Sequence, residues 1–103
     1  MTEIYLDRFK PVPNMVKSAD MQITLKFYAT LSEYLPEGSK KHRTVLEIAD
    51  EETAYSVIER YHVPRERAHL VLLNGVYLTP EQREQAMFKE GDTLAVWPPV
   101  AGG

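Results

Sequence analysis

Cysteine is absent from the 103-residue chain. That excludes disulfide staples, zinc sites built on thiolates, and a cysteine nucleophile. No apolar run approaches the roughly 18 residues a membrane-spanning helix needs, so an integral helical membrane protein is excluded. A signal peptide is not expected in residues 1–20 either. A signal peptide needs about 7–15 apolar residues, and here Ile4-Tyr5-Leu6 is cut short by Asp7-Arg8. Excess charge of one sign is slight: 12 Lys+Arg stand against 15 Asp+Glu, a net charge of -3. A global pull on nucleic acid is not expected, and only a local basic patch stays open. What is present is ordinary for a folded domain. Hydrophobic residues make up 44% and charged residues 26%, which excludes full-length disorder and a collagen-like repeat. The length fits one small domain with little room for a deep cleft. Chemistry done with a partner is therefore the first expectation.

Residues 1–20 read as an N-terminal extension to a domain spanning 21–103. Glu3, Asp7 and Asp20 balance Arg8, Lys10 and Lys17, so the extension adds no net charge. Pro11-Val12-Pro13-Asn14 favours an extended or turning linker. The segment is expected to be flexible, or to precede an internal start at Met21. The competing reading docks Ile4, Leu6 and Phe9 on the domain or on a partner.

From Met21 the chain alternates strand and helix signals. Met21, Ile23, Leu25 and Phe27 recur at period two, a half-buried strand. Leu31, Tyr34 and Leu35 predict a short helical turn ended by Pro36 and Gly38. Lys40-Lys41-His42-Arg43 is a basic loop, expected to be solvated, with partner binding as the alternative. Thr44–Ile48 predicts a second strand paired back on the first. Asp50-Glu51-Glu52-Thr53 marks a helix start: Thr53 caps, and the acids suit the helix dipole. Ala54, Val57, Ile58 and Tyr61 form one face of a helix of about ten residues that ends before Pro64. Residues 69–73 are apolar on both faces. Asn74-Gly75 is a two-residue hairpin turn because both positions tolerate positive φ. Val76–Leu78 returns, Thr79-Pro80-Glu81 begins a polar turn, and Thr93–Trp97 is the last strand. One helix can cover only one sheet face, so the expected fold is α+β: a small roll with its other face open.

The last strand runs into Trp97-Pro98-Pro99-Val100-Ala101-Gly102-Gly103. Pro98-Pro99 fixes two φ angles and projects the chain off the sheet. The six residues from Pro98 reach roughly 20 Å when extended. Gly102 and Gly103 lack Cβ atoms and fit a channel too narrow for side chains. A terminal carboxylate is the only reactive group such a tail offers. It is a poor electrophile until one oxygen becomes a leaving group, which suits activation in another protein's active site.

These stretches resemble the ThiS/MoaD family of ubiquitin-like β-grasp sulfur carriers. Residues 27–33 (Phe-Tyr-Ala-Thr-Leu-Ser-Glu) resemble the strand-to-helix junction of MoaD-type small subunits of molybdopterin synthase. Leu72-Leu73-Asn74-Gly75 resembles the family's hairpin, and residues 96–103 resemble the MoaD-type ending, where ThiS-type endings usually lack the Pro-Pro. The resemblance spans 21–103. The extension and the Pro64–Arg67 insert depart from the usual pattern. It implies a ubiquitin-like roll of four to five strands in a mixed sheet, with one main helix. It further implies that the carrier is not itself an enzyme and binds no cofactor. A MoeB/ThiF-type partner would use Mg-ATP to adenylate the Gly103 carboxylate, and a sulfur donor would then leave a thiocarboxylate. Val100, Ala101, Gly102 and the two prolines would thread into the partner. The sulfur would pass to a pterin precursor in a MoaE-type large subunit, or to thiazole synthase in thiamin synthesis. A cytoplasmic setting goes with this.

Among the other residues, Tyr28, Leu72, Tyr77 and Trp97 are candidates for an interface on the open sheet face. His42, His62 and His69 lack metal-ligand spacing, and Ser32 and Ser56 lack a His-Asp constellation, so no metal site or nucleophilic catalysis is expected. The competing function is a protein-conjugating ubiquitin-like modifier or a plain β-grasp interaction module.

Overall fold

The computed structural model describes residues 20–99. All of the expected extension, 1–20, except its last residue, and the tail residues 100–103 lie outside that range. The first strand, β1, spans Met21–Phe27, followed by a 3-10 turn at Ala29–Tyr34. β2 spans Arg43–Ile48, and helix α1 spans Ala54–Arg60. A 3-10 turn at Arg65–Arg67 leads into β3, Leu70–Leu73, and β4, Val76–Tyr77. A last 3-10 turn, Gln82–Glu84, precedes β5, Thr93–Trp97.

The five strands form one mixed sheet in the order β2-β1-β5-β3-β4. β1 pairs antiparallel with β2 and parallel with β5, and β5 pairs antiparallel with β3. The period-two pattern decides which face is buried. Ile23, Leu25 and Phe27 of β1 join Leu94 and Val96 of β5 and Val71 of β3 in one core. α1 covers that face with Ala54, Tyr55, Val57 and Ile58. Fully burying a side chain such as Leu25 or Ile58 stabilises by about 1.5–3 kcal/mol. The architecture is the expected α+β roll with a mixed sheet and one main helix.

α1 has seven residues rather than about ten. Its start is specified by a reciprocal capping box: Ser56 N–H donates to Thr53 Oγ1 at 3.0 Å, and Thr53 N–H donates to Ser56 Oγ at 2.8 Å. Glu52 sits just before the helix, where it accepts from Ser56 Oγ and pairs with Arg60. The element ends early because Tyr61 leaves the helical region and His62 takes a left-handed φ of 70°; Pro64 and the Arg65–Arg67 turn follow. There Arg65 lies 4.2 Å over the Tyr55 ring. Its hydrogen bond to Glu59 first, and then the charges of Glu59 and Glu84, hold its guanidinium above its ordinary pKa despite some desolvation.

Asn74 and Gly75 take φ of 51° and 84°, the left-handed pair that the β3–β4 turn requires. The Asn74 side chain also staples this hairpin to β5. Its Nδ2 donates to Asp92 Oδ1 at 2.8 Å, and its Oδ1 accepts from Thr93 N–H at 2.9 Å.

Candidate functional site: the root of the C-terminal tail and the open sheet face

Trp97 is the final residue of a central strand, and the backbone holds it from both sides. Tyr28 N–H donates to Val96 O at 3.0 Å, and His69 N–H donates to Trp97 O at 3.0 Å. Pro98 follows, buried, and Pro99 is exposed. The chain therefore leaves the sheet between its two halves, at a fixed place and direction. Val100, Ala101, Gly102 and Gly103 lie outside the described residues.

The exit is framed by rings. Tyr28 stacks on Trp97 with centroids 4.3 Å apart and planes 5° from parallel. His42 covers the other side of Tyr28 at 4.3 Å, tilted by 34°. Ala29, immediately after Tyr28, adopts a φ of 54°. A left-handed alanine is uncommon and strained, and this one turns the chain sharply around the tail root. Trp97, Pro98 and Pro99 line a groove of about 480 Å³ together with Ala29, Thr30, Arg67 and Leu70. Arg67 spans it, with Nη2 donating to Thr30 Oγ1 at 2.8 Å.

Of the four residues expected at an interface, Tyr28 and Trp97 form one contact and Leu72 and Tyr77 another, the latter as direct cross-strand partners of β3 and β4. Leu70, opposite Trp97, and Ala95, opposite Leu72, lie between the two pairs on the same face. Together they make an apolar strip across the face that α1 does not cover. Tyr28 itself lies just beyond β1 rather than on the sheet. Tyr77 is 49% exposed, and its hydroxyl accepts from Arg83 at 3.3 Å.

Several residues around this site escaped the sequence reading. Leu70 and Ala95 read as ordinary strand residues, and only the strand register puts them in the strip. Arg83 sits in a turn that reads as polar, yet it is 4% exposed. It donates to the carbonyls of Leu78, Ala68 and His69, so it ties the segment lining the groove to the turn after β4. His42 read as a surface residue, and its ring packs into the stack. Among the described residues, no group of three His, Cys, Asp or Glu side chains gathers as a metal site, and no helix is long and apolar enough to cross a membrane.

A family model described as Mut7-C ubiquitin matches residues 20–102. Among solved structures, the Haloferax volcanii HVO 2177 protein is similar at 25% identity with a TM-score of 0.64, over 87% of this chain and 92% of that one. SAMP1 of Haloferax volcanii is similar at 21% identity with a TM-score of 0.55, over 80% of this chain and 99% of the other. The small archaeal modifier protein 1 of Methanosarcina acetivorans is similar at 16% identity with a TM-score of 0.56, over 84% of this chain and 100% of the other. At these identities the two modifier structures speak to the fold. No curated protein matches the chain significantly.

Proposed function

The chain belongs to the Mut7-C ubiquitin family, and we propose that it is a ubiquitin-like sulfur carrier activated at a Gly103 carboxylate. The observation that carries this reading is the position of β5. A central strand, bonded on both sides up to Trp97, leads straight into Pro98-Pro99 and the Gly-Gly sequence. A rigid base with a narrow tail suits delivery of one carboxylate into another protein's active site.

The chemistry follows from the carboxylate. One of its oxygens attacks the α-phosphorus of ATP in a MoeB/ThiF-type enzyme, and pyrophosphate leaves. Hydrosulfide released by a donor then attacks the acyl-adenylate carbonyl, AMP departs with the electron pair of the broken C–O bond, and the S–H proton is lost to solvent. The product is a thiocarboxylate. The carrier needs no catalytic side chain and no cofactor of its own, because Mg-ATP is bound by the partner. The Trp97-Pro98-Pro99-Val100 ending favours molybdopterin synthesis, with a MoaE-type large subunit as acceptor, ahead of thiazole synthase in the thiamin pathway.

A second reading shares the first step. Two of the similar structures are small archaeal modifier proteins, and a lysine amine in place of the sulfur donor would give an isopeptide. Intact mass after incubation with the activating enzyme, ATP and a sulfur donor separates the two. Exchange of oxygen for sulfur supports the carrier, whereas adducts on lysines of other proteins support the modifier.

The tail is tested with a protein ending at Gly103 in ATP–pyrophosphate exchange. Gly102→Ala puts a methyl where the channel has no room, and removing Gly103 withdraws the carboxylate by up to about 3.5 Å. Misplacement of that order costs about a hundredfold or more in rate. Both variants, and a form with one residue added after Gly103, should lose exchange with unchanged melting temperatures. Wild-type exchange in all three would sink the proposal.

A further inference from the structure

The open face is divided by charge as well as by polarity. One cross-strand row contains Tyr77, Leu72, Ala95, Lys26, Arg43 and Lys40, each the register partner of the next. Cross-strand partners share a face, so the second half of this row places three cations side by side. Lys40 and Arg43 close a two-residue turn through reciprocal backbone bonds, Lys40 N–H to Arg43 O at 3.1 Å and Arg43 N–H to Lys40 O at 2.8 Å. Lys41, inside the turn, is a fourth cation and takes a φ of 49°, an uncommon conformation for a lysine. The other turn residue is His42, whose ring rests on Tyr28 and so joins the basic turn to the stack at the tail root.

Like charges directly opposite each other destabilise a sheet. No ion pair among the described residues relieves that cost. The ion pairs among the described residues are Arg60–Glu52, Arg65–Glu59 and Arg65–Glu84, and none involves Lys26, Lys40, Lys41 or Arg43. Glu37, shortly before the turn, makes no such pair either. The acids of this face lie at the far end of β1. Glu47 is the partner of Gln22, and Glu90 accepts from Gln22 N–H at 3.0 Å. Gln22 and Lys26 are four residues apart, about 13 Å along the strand. The face therefore runs from negative to positive toward the end where the tail leaves.

We propose that the row Lys26, Arg43 and Lys40, with Lys41, docks an acidic surface on the enzyme that activates the tail. The inference rests on the carrier reading above and specifies the partner's chemistry. A local rule of sheet stability is broken beside the tail root, in a chain whose net charge is -3, and that pattern fits a surface kept for a partner. The charge gradient admits such a partner in one orientation, with its acids at the basic turn and its active site over the tail. A protein surface fits better than single-stranded nucleic acid. The Tyr28 ring beside the cations is covered by Trp97 and His42, and the exposed Tyr77 of this row lies three strands away from Lys26, so among the described residues no exposed ring stands next to the basic turn for a base to stack on.

The test is ATP–pyrophosphate exchange by the cognate activating enzyme, titrated with the full-length chain. Arg43→Glu converts three like charges into an alternating row, so its melting temperature should hold or rise. At the same time KM for the carrier should increase about tenfold with kcat unchanged, the signature of lost electrostatic docking. Arg43→Lys should restore the wild-type KM. Added salt should raise KM for the wild type and leave Arg43→Glu nearly flat. Wild-type exchange with an unchanged KM in Arg43→Glu overturns the inference and leaves the carrier reading standing. Absence of exchange by the wild type overturns the carrier reading and the inference with it. Binding of a mixed-sequence single-stranded RNA that Arg43→Glu abolishes, with KM unaffected, would reassign the patch to nucleic acid.

Discussion

Asn74 performs two tasks that its sequence signal shows only in part. Asn-Gly announces the turn, because both residues accept positive φ. The hydrogen bonds from its side chain to Asp92 and Thr93 cross 18 and 19 residues of sequence, and no local pattern announces them. The two tasks can be separated. Asn74→Gly keeps the backbone conformation and loses the bonds, which should cost about 2 kcal/mol. Asn74→Ala should cost about 1 kcal/mol more, the penalty of a left-handed residue with a Cβ. Urea unfolding midpoints measure both. Equal losses would show that the turn carries no strain, and a negligible loss in either would show that the staple contributes nothing. Arg83 is hidden from the sequence for a similar reason. Its burial depends on carbonyls from Ala68, His69 and Leu78 converging on one guanidinium, and the sequence around it reads as a polar turn.

Among the elements, α1 is the one whose length the sequence overstated most. The i, i+3, i+4, i+7 pattern from Ala54 includes Tyr61, which does pack, with its ring edge-on to Phe27 at 6.1 Å. Yet the hydrogen-bonded helix ends at Arg60, because side-chain periodicity persists through a chain that has already begun to turn toward Pro64. A helix this short is far below the length of about 12–15 residues at which isolated helices become even marginal. Its core contacts and its cap hold it. Thr53→Ala should cost about 1 kcal/mol and lower the melting temperature by roughly 4–8 °C. A shift within error would assign the helix start to packing alone. The strands were more legible, because period two fixes a face as well as an element: β1 and β5 have the bounds their patterns predict. The cationic row was not, since Lys26 meets Arg43 only through the β1–β2 register and Arg43 reads as the end of a loop.

For the whole molecule, the family match begins at residue 20, the position where the described structure also begins. Among the described residues, the buried core runs from Ile23 to Val96. The strand, helix and hairpin signals all lie after residue 20, so removing residues 1–20 should leave the melting temperature within about 4 °C of the full chain, the range of a surface change. A larger fall would give Ile4, Leu6 or Phe9 a place in the core, and circular dichroism on the two proteins decides the matter. The parallel pairing of β1 with β5 has a mechanical side. A force drawn between Met21 and Trp97 pulls these neighbours in opposite directions along their common axis. The slanted, evenly spaced bonds between parallel strands then share the load at once, where an antiparallel hairpin pulled from its open end would lose its bonds in succession, like a zip. A domain tugged by a tail gripped inside another protein would meet that load in shear along this seam.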